Sequence, residues 1–279
     1  MAAIITKDTI TEFIQALRKE EKSEATIGKY ASALEKLMHW LDGAEVTKQC
    51  LSEYREHLLQ SLSACTVNGA LSAINTWLKL SGQGDCQVKL LKVQRRAFCS
   101  AKKELNREEY NRLIAAAKKK GDERLLLVME AICATGIRVS ELKYITVEAL
   151  RNGRAEVSLK GKSRIILLPG KLCRKLSKYA RKKNIRTGSV FLTRNGTPLS
   201  RKQIWAQMKA LCASAGVDPS KVFPHNLRHL FARCFYKATR DVAKLADVLG
   251  HSSIETTRVY LVTSGAEHMR ALDCLRLVS

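Results

Sequence analysis

Acidic residues are scarce in this chain. Only 26 Asp+Glu stand against 49 Lys+Arg, which leaves a formal net charge of +23 and a pI near 9.8. Such a surplus draws polyanions to the surface, so nucleic acid is the leading partner class; an acidic membrane face or a ribosome remains open on charge alone. No basic-then-apolar leader and no run of about 18 apolar residues is present, so we expect no membrane span and a cytoplasmic, nucleoid-associated protein. The nine cysteines lie far apart, with no C-x-x-C pair and no Cys/His cluster at zinc spacing. That pattern excludes a disulfide framework and a structural zinc site, and predicts reduced thiols. A Walker A loop, an acidic metal cluster, internal repeats and low-complexity tracts are also missing, and the four prolines (Pro169, Pro198, Pro219, Pro224) all fall between helical patterns.

What is present suits one large or two modest soluble domains: 279 residues, 46% of them hydrophobic. Helical periods occupy Thr9–Leu17, Ala25–Leu41 and the stretches around Leu51–Leu59 and Thr66–Leu80. Leu34, Leu37, Trp40 and Leu41 share one helical face, as do Leu71, Ile74, Trp77 and Leu78, which predicts core packing. Lys29, Lys48 and Lys79 then face solvent or DNA. From Lys89 to Lys103 the periodicity fails in a stretch with six basic residues, read as a linker that also suits a phosphate backbone. The expected organisation is a helical DNA-binding bundle over 1–90, a linker over 91–104 and a second domain over 105–279.

The second domain opens with helices predicted at Arg107–Lys119, started by Asn106 with Glu109, and at Glu123–Ala134, ended by Gly136 in a left-handed turn. Arg154–Leu159 and Arg164–Leu168 read as a β-hairpin around a lysine-rich tip, Lys160-Gly161-Lys162-Ser163.

Five residues in the last two thirds carry a shared chemistry: Arg138 in ATGIRVSEL, His225 and Arg228 in HNLRH, His251 in LGHSS and Tyr260 in TTRVYL. A tyrosine attacks a phosphodiester only when cations neutralise the non-bridging oxygens, a base takes its proton and an acid protonates the departing oxygen. Arginine suits the first task because its guanidinium presents paired donors and stays charged when desolvated. Imidazole suits proton transfer near neutrality, and the sequence does not apportion the roles of His225 and His251. Glu141, one turn after Arg138, is placed either to orient the guanidinium or to form a plain i, i+3 pair. His39, His57 and His268 have no motif around them.

The three boxes TGIRVSEL, HNLRHLFA and LGHSSIETTRVY resemble those of the tyrosine recombinase (phage integrase, Xer-like) family, in family order and at similar separations. The resemblance implies a mainly α fold with a small β-sheet: a SAM-like core-binding bundle followed by an α+β catalytic domain. It also implies that Tyr260 is the nucleophile joining a DNA 3′ phosphate, that Arg138 and Arg228 clamp the phosphate, and that His225 and His251 serve proton transfer and oxygen contact. A lysine of the hairpin turn acts as general acid in such proteins; a gapless alignment selects Lys160, whereas counting from Arg138 prefers Lys162. His229 is common in the second box and is expected to face another side of its helix, as a structural residue.

No cofactor is implied, neither metal nor ATP, because the bond energy stays in the phosphotyrosine. The implied partners are double-stranded DNA with a specific target site and three further copies of the chain in a tetramer on two sites. An accessory DNA-bending or directionality protein is a further partner the resemblance allows. Site-specific recombination is the expected activity, with type IB topoisomerase-like relaxation and an inactive architectural relative as alternatives; a mobile-element integrase and a chromosome-dimer resolvase are not separated. The length leaves little room for an extra arm-site-binding domain.

Gly250 is expected to end one helix, and Ser252 with Glu255 to cap a short helix carrying Tyr260. Ala271, Leu272, Leu275 and Leu277 form a terminal apolar stripe that covers either the chain's own core or a neighbouring subunit. Two departures from the family pattern stand out: Leu230 where Ser or Thr is frequent, and a turn after Ala238 without the usual glycine.

Overall fold

The computed structural model describes residues 4–93, 104–159, 162–251, 253–258, 260 and 273–274, with Leu159 and Lys162 described by their backbone only. The chain divides into two compact units, Met1–Arg95 and Arg96–Ser279. Among the described residues it is mostly helical with one two-stranded antiparallel sheet, in agreement with the expected fold class.

Four helices build the first unit: α1 (Lys7–Lys19), α2 (Glu24–Leu41), α3 (Lys48–Leu59) and α4 (Ala64–Leu80). Each begins at a hydroxyl residue, Thr6, Ser23, Thr47 or Ser63, whose side chain accepts a backbone N–H of the first turn. Such caps contribute about 1 kcal/mol each, because the first N–H groups of a helix have no partner within it. The apolar faces meet in one core that includes Phe13, Leu17, Leu34, Leu37, Leu71 and Ile74. Trp77 and Leu78 are buried as expected, while Trp40 is half-buried and tilts against Tyr54 with ring centroids 5.1 Å apart. Lys29, Lys48 and Lys79 are exposed. Two asparagines of α4 hold the chain that leaves it: Asn75 exchanges two hydrogen bonds with the backbone of Val88, and Asn68 does the same with Leu91.

The second unit starts at α5 (Arg107–Lys119), opened by the expected reciprocal cap between Asn106 and Glu109, and continues into α6 (Glu123–Thr135). Gly136 caps α6 at φ +64°, and a Cβ there would lie 2.5 Å from Phe231 and 2.8 Å from Leu249, so no other residue fits. A 3-10 turn (Val139–Tyr144) and α7 (Val147–Asn152) lead to β1 (Arg154–Leu159) and β2 (Lys162–Leu167). The register runs from Arg154↔Leu167 to Leu159↔Lys162. Lys162 and Ser163 therefore belong to the strand and not to the tip, because the ladder pairs both residues. Lys160 and Gly161 lie outside the described residues. Along the hairpin Ala155, Val157 and Ile166 point inward, whereas Ile165 and Leu167 are exposed, the alternation of a half-buried sheet.

Five more helices follow α8 (Gly170–Lys182): α9 (Arg201–Lys209), α10 (Cys212–Ala215), α11 (Pro224–Thr239), α12 (Val242–Leu249) and α13 (Ile254–Arg258). Pro224 sits at the start of α11, where its missing N–H is no loss. Where the sequence lacks a glycine after Ala238, Arg240 takes the left-handed cap at φ +54°. Gly250 caps α12 at φ +63°, as expected. Ser252 lies outside the described residues; Ser253 Oγ accepts from the Glu255 N–H at the start of α13. Tyr260 is not on that helix but in the turn after it, with its N–H donating to Thr257 O at 3.0 Å. The terminal stripe Ala271, Leu272, Leu275 and Leu277 is likewise outside the described residues. Among the described residues no helix is long and apolar enough to cross a membrane.

Candidate active site

Three arginines brought together from α6–α7, β2 and α11 form one hydrogen-bonded ring. Arg138 follows the Gly136 cap and donates Nη1 to Glu141 Oε1 at 2.9 Å, while its backbone N–H donates to Glu141 Oε2 at 2.9 Å. Glu141 is 2% exposed and also accepts from Arg164 Nη2. Arg164 Nη1 donates to the carbonyl of Leu249, the same carbonyl that accepts from Arg228 Nη2 at 2.9 Å. Arg228 Nη1 closes the ring on the carbonyl of Gly136, two residues before Arg138. Burial opposes charge on Glu141, but the bonds from Arg138 and the charge of Arg164 outweigh it and hold the carboxyl below its ordinary range. The pair of readings left open for Glu141 thus resolves into a bridge between two arginines.

Arg228 is 1% exposed, and burial first of all lowers its pKa to about 10. It is still a cation near neutral pH. Its Nε–H is buried and finds no partner among the described residues, so one donor of the fork is unspoken for. Leaving a buried donor unmade costs about 1–3 kcal/mol; an anionic oxygen arriving there would remove that penalty.

The aromatic side of the site gathers around Tyr260, which is 6% exposed. Its ring lies 5.7 Å from that of His225, 4.4 Å from that of His229 and 5.5 Å from that of His251, with Arg228 Cζ 5.9 Å from its centroid. His251 Nε2 is 2.9 Å from Arg228 Nη2 and its Nδ1 is 2.8 Å from Thr257 Oγ1. A guanidinium only donates, so Nε2 accepts and the ring proton sits on Nδ1, directed at Thr257. Burial, followed by the charges of Arg228, Arg138 and Arg164, lowers the His251 pKa to about 4. His225 is pulled below the usual imidazole value by burial and then by Arg228 and Arg138. No hydrogen bond among the described residues occupies its ring nitrogens.

His229 departs from expectation. It does not face away: being four residues after His225 it lies on the same helical face, with the two rings 4.8 Å apart edge to face. Burial, then His225 and Arg233, lower its pKa to about 4. The i, i+4 spacing was the available signal. Arg164 and Thr257 were not singled out from the sequence either. The partners of Arg164 lie 23 and 85 residues away, which no local pattern reports.

Arg138, His225 and Arg228 open onto a cleft of about 670 Å³, whose far wall carries Arg201, Lys202 and Trp205 of α9. Trp205 is 47% exposed, with Lys209 Nζ 5.3 Å from its ring centroid. Lys160 and the side chain of Lys162 lie outside the described residues; β2, which Lys162 begins, is tied to the ring through Arg164. Among the described residues no three His, Cys, Asp or Glu side chains are grouped to hold a metal ion.

Comparison with known proteins gives this geometry a family. The N-terminal SAM-like domain of phage integrases matches residues 10–80. Tyrosine recombinase XerA of Pyrococcus furiosus is 27% identical over 274 residues, 94% of this chain and 92% of the relative. Tyrosine recombinase XerD of Xanthomonas axonopodis pv. citri is 34% identical over 160 residues, 52% of each chain. Among solved structures, a lambda integrase dimer bound to a COC′ core site superposes with a TM-score of 0.74 at 17% identity, covering 91% of this chain and 94% of that one. The XerH recombinase bound to its difH substrate superposes at 0.71 with 20% identity, covering 96% and 84%. The model of the phage integrase family itself matches residues 103–266, more than half of the chain and both sides of the arginine ring, so the protein belongs to the phage integrase family and is a tyrosine recombinase.

Proposed function

We propose that this protein cleaves and rejoins duplex DNA at a specific site through a 3′-phosphotyrosine intermediate, with neither metal nor ATP. The observation that carries the reading is the gathering of three imidazoles and a buried arginine around the Tyr260 ring, with Arg138, His225 and Arg228 opening onto the adjoining cleft. A scissile phosphate in the cleft places its non-bridging oxygens against Arg138 and Arg228, which both line it. There the guanidiniums offset the charge that grows in the pentavalent transition state, a contribution of about 3 kcal/mol for a single donor in such sites.

The Tyr260 oxygen forms a bond to phosphorus as the bond to the 5′ oxygen breaks. Of the two motif histidines, His225 is the one positioned to take the phenolic proton, because it is held neutral and its nitrogens are not engaged. His251 is occupied on both nitrogens and instead fixes the Arg228 fork. His229 packs on the Tyr260 ring and keeps it in place. We assign protonation of the leaving 5′ oxygen to Lys160, with Lys162 the second choice, since Lys160 lies between β1 and β2 in the chain and Lys162 is the first residue of β2. A 5′ hydroxyl then attacks the phosphotyrosine, which conserves the number of phosphoester bonds and requires no external energy.

The net positive charge and the basic α9 wall suit a DNA duplex, in keeping with the DNA-bound complexes of lambda integrase and XerH. Exchange between two duplexes calls for a homotetramer on two sites, and an accessory DNA-bending protein would set directionality. The helical first unit, 1–90, and the linker, 91–104, are proposed to complete the grip on DNA.

The test is a pool of nicked duplexes incubated with the wild type and with Tyr260→Phe, without metal or ATP, followed by a denaturing gel. A covalent adduct with wild type alone is expected, and sequencing the trapped DNA gives the target site. Tight binding by a folded wild type without any adduct would return Tyr260 to a packing role and leave an architectural protein. Adducts accompanied by monomeric relaxation of supercoils, without joining of two sites, would identify a type IB topoisomerase activity.

A further inference from the structure

We infer that Arg164 is a positioning residue for the cleavage reaction, the strut that fixes the Arg138 and Arg228 guanidiniums relative to each other. The inference rests on the phosphodiester-cleaving reading of the site. Arg138 comes from the turn after α6 and Arg228 from α11, and the two share no direct hydrogen bond among the described residues. Arg164 of β2 reaches both by a two-pronged contact: one nitrogen of its fork donates to Glu141, which holds Arg138 by side chain and backbone, and the other donates to Leu249 O, which also receives Arg228. Its side chain is 15% exposed and does not line the cleft where substrate would sit.

Two further observations point the same way. A Cβ at residue 250 would lie 2.5 Å from Arg164 Cδ and 2.6 Å from its Nη1, so the backbone before His251 is shaped to admit this side chain. The strand carrying Arg164 is also the one that begins at Lys162 and follows Lys160 in the chain, so the same residue ties that hairpin to the arginine ring. A lysine would keep the charge, yet an ammonium cannot present two parallel donors to a carboxylate and a carbonyl at fixed separation. Small displacement of groups that must meet a phosphate simultaneously is costly in rate.

The experiment compares the full-length wild type with Arg164→Lys in two assays. In the free protein, amide exchange at Arg138, whose N–H is held by Glu141, is expected to speed up on the order of 10-fold in the variant, while exchange in α2 and α4 stays unchanged. Exchange at Arg138 equal to wild type overturns the inference, whatever the protein does to DNA. In the second assay a nicked duplex carrying the site recovered with the wild-type adduct is cleaved under single-turnover conditions, once with a normal scissile phosphodiester and once with an uncharged methylphosphonate there. Arg164→Lys is expected to slow the first by on the order of 100-fold and the second by much less, with DNA affinity within about twofold of wild type, because the methylphosphonate asks less of the arginine pair. Equal deficits on both substrates indicate general structural loss and overturn the inference. Should Arg164→Lys fail to fold, Glu141→Gln, which keeps shape and removes the ionic link, must show the same difference between substrates; equal deficits there count as refutation. Absence of an adduct with wild type counts against the cleavage reading and leaves the exchange result standing.

Discussion

The two units solve the problem of a stable interior in different ways. In the first, the fully buried side chains among the described residues form an apolar set, and polar side chains such as Asn68 and Asn75 bond from half-buried positions. In the second, Glu109, Thr135, Glu141, Asn226, Arg228 and Thr257 are buried too, and four of these six belong to the hydrogen-bonded surroundings of the candidate site. Burying a polar or charged group is unfavourable unless every bond it leaves in water is replaced. The first unit therefore needs only size and pattern to be satisfied, whereas the second depends on exact partners, and its stability is coupled to ionisation.

That contrast can be attacked from either side. The largest effect is expected from Leu34→Ala in the first unit: Leu34 is fully buried, and its truncation should cost about 2–5 kcal/mol through lost burial and the cavity left behind. Calorimetry should show the transition of the first unit moving down while the adduct, once formed at low temperature, still maps to Tyr260. A shift of every transition together would mean that the units do not melt independently.

The next effect is on pH. His229 and His251 have folded pKa values near 4, below the ordinary 6.5, so protons bind the unfolded chain first as the pH drops. Their contribution to stability is complete above about 6.5 and is lost progressively as the pH falls toward 4. Glu141 and Glu109 act in the same direction at lower pH, since their depressed pKa values favour the folded state only above the ordinary carboxyl range. The acid-sensitive melting transition should thus be the one that Leu34→Ala does not move, and His229→Gln should flatten its slope between pH 6.5 and 4.5. An unchanged slope would remove His229 from the account.

The smallest effect is a gain. Arg240 holds a left-handed cap that costs a residue with a Cβ about 1 kcal/mol, so Arg240→Gly should raise the midpoint of the second unit's urea transition without altering its slope. A lower midpoint would show that the Arg240 side chain contributes more than its backbone conformation costs.

Much of the architecture was legible because it is local. Helices α1 to α6 follow apolar periods and hydroxyl or Asn/Asp caps, and Gly136 and Gly250 mark helix ends by a conformation other residues resist. The hairpin was legible as alternation, though not its tip, because which residues enter the ladder is set by pairing across strands. The position of Tyr260 just beyond α13 instead of on it is a matter of one helix end, the least predictable part of any element. His229 was expected on another face of α11 although the i, i+4 rule was at hand, because a tyrosine 31 residues away decides which face the candidate site occupies.

The sequence by itself determined the helical first unit, the mixed second unit, the polyanion-attracting charge and the set of residue types able to break a phosphodiester. These follow from periodicity, composition and chemistry, properties carried by neighbours along the chain. Tertiary structure alone decided that Glu141 bridges two arginines, that His251 is tautomerically committed, and that Arg164 links Arg138 to Arg228. Hydrogen-bond geometry is a property of positions in space, and directly bonded partners in this ring lie as far as 92 residues apart along the chain.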